Sequence, residues 1–105
     1  MNGFTIRDAL ALLATQGGDT ATLFSHGTLD VMIYKPDQTD IQRPHARDEV
    51  YVIATGAGTF EYGGERRPVA CGDVLFAEAG AEHRFVDFSD DFSTWVFFYG
   101  PEGGE

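Results

Sequence analysis

Few residues in this sequence could cross-link the chain or carry it to a polyanion. Cys71 is the single cysteine among 105 residues, so an intrachain disulfide and a thiolate metal cluster are both excluded. Placed beside Gly72 in a turn, it is expected to be a small buried filler. Basic residues are also scarce: seven face 17 acidic ones, for a net charge of -10. Such a field repels phosphate backbones and anionic membrane surfaces, so neither nucleic acid nor membrane is expected as a partner. Long apolar runs are missing too. The stretch "ALALLA" near the start is flanked by Arg7 and Asp8 and is too short for a membrane span or a secretory core. A soluble, cytoplasmic protein is the expectation.

Aromatic and aliphatic residues are plentiful by contrast. Hydrophobic residues make up 43% of the chain, with nine Phe, four Tyr and one Trp, enough for one packed interior, and the length suits a single domain. Thr5 followed by Asp8 has the form of a capping box, and Ile6, Leu10 and Leu13 recur at helical spacing, which predicts a short amphipathic helix over 6–15. Beyond "QGGD" the runs "ATLF", "LDVMIY", "EVYVIA", "TFEY", "RPVA", "DVLFA", "HRFVDF" and "STWVFFY" are short and β-prone. Turn-forming clusters separate them at close intervals, with His26 in one of these turns. No second helix intervenes to build parallel βαβ units, so an all-β antiparallel sandwich or barrel is predicted. The organisation is a helix and lead-in over 1–20, a β domain over 21–100 and a flexible tail over 101–105.

The stretch "RPHARDEVYVIATGAG", residues 43–58, places donor residues beside a strand. His45 and Glu49 would lie about 13 Å apart along a straight strand, so sharing an ion requires the chain to bend at "ARD". Alternation then puts Glu49, Tyr51 and Ile53 on one face, with Val50, Val52 and Ala54 on the other. A carboxylate among interior side chains needs an ion or an arginine as partner. A second cluster, "CGDVLFAEAGAEHRFVD", carries His83.

These two segments resemble the two sequence motifs of the cupin superfamily, in the manner of its small single-domain members. The first motif's second histidine, glutamate and closing glycine are matched by His45, Glu49 and Gly56; the second motif's glycines and histidine are matched by Gly72, Gly80 and His83. Fifteen residues separate Gly56 from Gly72, as in small members of the family. Where the family has its first histidine the chain has Arg43, and Asp37, Glu78 and Asp87 replace the leading glycine, the proline and the asparagine. The resemblance implies a double-stranded β-helix, or jelly-roll barrel. It also implies one divalent transition metal (iron, manganese, zinc or nickel) held by His45, Glu49 and His83, with open positions for a small molecule.

Three roles are open to Arg43: pairing with Glu49 in place of a metal, anchoring an anionic substrate through its planar fork, or standing solvated at the barrel rim. Gln42 beside it could lend an amide oxygen. Tyr51, Phe76, Phe85 and Trp95 suit either a pocket wall or the core, and Tyr51 joins Arg43 as a substrate-binding candidate. By resemblance the function is that of a metal-dependent enzyme acting on a small molecule, of oxygenase or isomerase type. The alternative is a non-enzymatic module that binds or senses a metabolite, with or without metal. The run "STWVFFY" is apolar on both strand faces, so one face needs a cover from the helix, another sheet or a second subunit; a homodimer is expected.

Overall fold

The computed structural model describes residues 3–40 and 43–105; Gln42 lies outside the described residues. Helix α1 (Ile6–Gln16) begins at Thr5, whose hydroxyl accepts the Asp8 N–H while the Asp8 carboxylate accepts the Thr5 N–H, the predicted capping box. Eight strands follow: β1 (Thr20–His26), β2 (Leu29–Tyr34), β3 (Asp48–Thr55), β4 (Ala57–Tyr62), β5 (Glu65–Ala70), β6 (Val74–Ala77), β7 (His83–Val86) and β8 (Ser93–Tyr99). Each arises from one of the β-prone runs.

The strands form two antiparallel sheets. One has the order β1-β2-β8-β3-β6 and the other β5-β4-β7. The last strand is therefore inserted between β2 and β3, a non-local pairing that closes the domain. Between the sheets lie Tyr34, Tyr51, Ile53, Phe60, Phe85, Phe92 and Val96. Burying side chains of this size contributes about 1.5–3 kcal/mol each, which is why a single core suffices at this length. A second, smaller cluster joins Ala9 and Leu13 of α1 to Ala21, Ile33 and Ala54 on the outer face of the five-stranded sheet.

The tight β3–β4 connection explains one of the matched glycines. Gly56 has φ +74, and a Cβ there would stand 2.5 Å from Ser89 Oγ and 2.9 Å from Phe92 Cα, so only glycine fits both the conformation and the space. Two expectations meet different surroundings. Cys71 is exposed rather than a buried filler; it follows the last residue of β5, and its thiol donates to the Ala54 carbonyl at 3.2 Å. Residues 101–105, expected to form a flexible tail, fold back so that Gly103 N–H donates to Ala46 O at 2.7 Å and Glu105 N–H to the Asp48 carboxylate at 3.0 Å. Among the described residues no helix is long and apolar enough to cross a membrane.

Candidate metal centre

The three donors come from two segments brought together by the sheet pairing. Alternation along β3 carries Glu49, Tyr51 and Ile53 inward, at 1%, 0% and 1% exposure, as predicted. The chain bends at Ala46 and Arg47 just before β3, which turns His45 back over the strand so that its Nε2 lies 3.8 Å from Glu49 Oε1. The backbone secures this bend from three directions: Gly80 N–H donates to His45 O at 2.8 Å, Ala79 N–H to the Asp48 carboxylate at 2.9 Å, and Gly103 N–H to Ala46 O. The His45 ring packs edge-on against Phe98, with centroids 4.9 Å apart, and the Arg47 guanidinium covers the same phenyl ring.

His83 opens β7 and points into the barrel. Its Nδ1 lies 2.8 Å from the Ala81 carbonyl; a carbonyl can only accept, so Nδ1 carries the proton and Nε2 presents a lone pair to the interior. There Nε2 meets Tyr51 Oη at 3.0 Å and Glu49 Oε1 at 2.9 Å. That last contact lacks hydrogen-bond alignment, leaving Glu49 Oε1 buried without a hydrogen-bond partner among the described residues. A lone pair and a carboxylate oxygen this close require a cation between or beside them, either a proton or a metal ion. One ligand atom from each of His45, Glu49 and His83 lies within 4.8 Å of the others, a spacing that one ion bound at about 2.0–2.2 Å to each can bring together with small side-chain movements. Two imidazoles and a carboxylate form a set suited to zinc, iron, manganese or nickel.

The electrostatics at His83 favour positive charge beside Glu49. Burial pulls the His83 pKa down, but the adjoining Glu49 carboxylate, the Ala81 carbonyl and the charges of Glu49 and Asp40 outweigh it, and the pKa is raised above its ordinary value. Asp40, a residue without a motif to announce it, is buried at 5% exposure and accepts from Tyr34 Oη and from Phe85 N–H, both at 2.7 Å. Burial and then this bond raise the Tyr34 pKa, keeping the phenol protonated. Asp40 thus ties the segment leading to His45 onto β7, two residues from His83.

Arg43 is exposed, and no described ion pair joins it to Glu49, so the arginine does not take the place of a cation at that carboxylate. It lines a cavity of about 420 Å³ with Pro44, Glu82, His83 and Arg84. Arg84, which shares that cavity, pairs with Glu61, as does Arg66; among the described residues no ion pair is seen for Arg43. Tyr51 is wholly buried, with its ring against Phe60 and Phe85 and its hydroxyl at His83. Phe85 packs in the core and Trp95 beneath α1, whereas Phe76 is half exposed on the outer face. A larger cavity of about 900 Å³ lies between the end of α1 and residues 35–38, and none of the three donors borders it.

Comparison with known proteins places this geometry in a family. The family model for the cupin domain matches residues 30–99. The uncharacterized protein SCO3923 of Streptomyces coelicolor is 34% identical over 104 residues, covering 97% of this chain and 99% of its own. Among solved structures, a cupin-2 domain containing protein from Shewanella frigidimarina superposes with a TM-score of 0.75 at 14% identity, covering 92% of this chain and 94% of that one. KdgF from Halomonas sp. gives 0.67 at 22% identity, covering 78% and 80%. The two histidines and the glutamate converge at the motif positions on which the resemblance rests, and the model match spans both motifs: the chain belongs to the cupin family.

Proposed function

We propose that the protein holds one divalent transition metal through His45 Nε2, Glu49 Oε1 and His83 Nε2, and that it is a metal-dependent enzyme acting on a small molecule. The carrying observation is the buried Glu49 Oε1, which has no hydrogen-bond partner among the described residues and faces the lone-pair nitrogen of His83 at 2.9 Å. Once bound, the ion supplies Lewis acidity toward a coordinated oxygen and lowers the pKa of bound water.

The chain's own residues do the rest. Glu49 neutralises one charge of the ion, the Ala81 carbonyl keeps His83 in the tautomer that coordinates, and Phe98 holds the His45 ring. Tyr51 places a hydroxyl beside His83 Nε2, where it can donate to a ligated oxygen or hold a proton in transit. Arg43, on the cavity shared with His83, offers a fork for a substrate carboxylate.

Elemental analysis of protein purified without a histidine tag tests the reading. One equivalent of metal per chain is expected, and it should disappear in His45→Ala and His83→Ala variants that keep the wild-type circular dichroism spectrum. Protein that stays metal-free after incubation with iron(II), manganese, zinc and nickel salts would overturn it and favour a metal-independent binding module.

A further inference from the structure

The cavity of about 900 Å³ at the end of α1 lies at the seam between the two apolar clusters. Leu10 packs on the cluster beneath the helix and Phe88 on the barrel core, and with Leu13 and Pro36 they give the cavity an apolar floor. Gly17 and Gly18 form its lip. A Cβ at either glycine would meet nothing within 4 Å, so that side is open to a ligand. The charges around this floor are mostly of one sign: Asp19, Asp37 and Asp90 border it against the single ammonium of Lys35. Lys35 Nζ donates to the Asp90 carbonyl at 2.6 Å. Among the described residues no ion pair joins it, or any other cation, to the three carboxylates. The carbonyl end of α1, which meets the cavity at Ala14 and Gly17, adds partial negative charge. No basic side chain in the last turn answers it.

We propose that this cavity is a second binding site, for a small organic cation made of a primary ammonium on an aromatic or aliphatic body. Each alternative meets only half of the surroundings. An anion would be repelled by the carboxylates and the helix end. A bare metal ion needs a shell of oxygen donors and gains nothing from leucine and phenylalanine. A neutral apolar molecule would cover the floor but take the carboxylates from water without a partner. An amine with an apolar body covers Leu10 and Phe88 while its ammonium faces the aspartates. The volume lies within the roughly 300–1,000 Å³ of small-molecule sites. None of the three metal donors borders this cavity, so the proposal stands apart from the metal reading.

A two-dimensional NMR titration of the full chain, with chelator present, tests it with phenethylamine as the probe. The amides of Leu13 to Asp19, Lys35, Asp37 and Gln38 should shift together, with a dissociation constant of about 1 mM or below. Phenylacetate, with a similar body and the opposite charge, and ethylamine, with the charge and little body, should each bind at least about tenfold more weakly. Asp37→Asn and Asp90→Asn, both at exposed positions, should each weaken phenethylamine at least about threefold. Ala14→Phe, at an exposed helix position that lines the cavity, should fill the floor and abolish binding without unfolding the chain. Glu65→Gln on β5 should change nothing. No saturation by about 20 mM, shifts confined to other residues, phenylacetate binding as tightly as phenethylamine, or folded Ala14→Phe protein with wild-type affinity would each overturn the proposal.

Discussion

Replacing Glu49 with glutamine separates the two cations this site can hold. The substitution keeps shape and burial but exchanges a buried carboxylate oxygen, which lacks a hydrogen-bond partner among the described residues, for an amide whose N–H can donate to His83 Nε2. Metal affinity should fall by more than about 100-fold, since disturbing residues behind the ligands already costs 10–100-fold. The stability of the metal-free protein should move the other way at alkaline pH. An unsatisfied buried polar group costs about 1–3 kcal/mol, and at about 4–8 °C per kcal/mol the Glu49→Gln protein should melt several degrees above wild type near pH 9 in chelator. At acid pH the order should invert. A raised His83 pKa means that the imidazolium stabilises the folded state fully below its unfolded-state pKa of about 6.5. That contribution is lost as pH rises through the higher folded-state value. Near pH 5.5 the wild type has this imidazolium–carboxylate attraction and the variant does not. Differential scanning calorimetry at both pH values, with metal content measured on the same samples, reads both effects. A variant that retains one equivalent of metal, or that melts below wild type at both pH values, would refute the assignment of that oxygen as a cation ligand.

Other perturbations test the surrounding structure. The N–H groups of Glu105 and Ala79 hold the Asp48 carboxyl below its ordinary pKa. The stability this gives is present above the ordinary carboxylate value and is lost as pH falls through the lowered one, so Asp48→Asn should flatten the acid limb of an unfolding curve followed by circular dichroism. Phe92 is fully buried, and Phe92→Ala should cost about 3–5 kcal/mol in urea titration. Gly56→Ala should destabilise by more than about 1 kcal/mol, because it combines an unfavourable φ with contacts below 3 Å; an unchanged urea midpoint would refute the close-approach argument. Arg43→Gln should weaken binding of small carboxylates while leaving metal content at one equivalent, as measured by calorimetry and elemental analysis.

The local structure was legible because it depends on local chemistry. The Thr5–Asp8 box and the 3.6-residue spacing place the helix, and alternation in "EVYVIA" assigns Glu49 and Tyr51 to the interior whatever the strand pairing. The bend at Ala46 and Arg47 followed from the reach that His45 needs. Less was readable where structure rests on long-range pairing. Nothing in "STWVFFY" says that β8 enters between β2 and β3. Asp40 sits in a segment that reads as a turn, and its burial depends on Tyr34 and on Phe85, 45 residues away. Cys71 read as a filler because cysteine is usually covered, whereas the turn after β5 leaves it at the surface.

That aspartate bears on how an ion would enter and leave. Swinging residues 35–40 aside would strip Asp40 of two sheltered partners, Tyr34 Oη and Phe85 N–H, so that segment is a poor door. His45, with its side chain 32% exposed, stands at the boundary with water, while Glu49 and His83 are each at 1%. Ion traffic should therefore pass His45, the one donor of the three that reaches water.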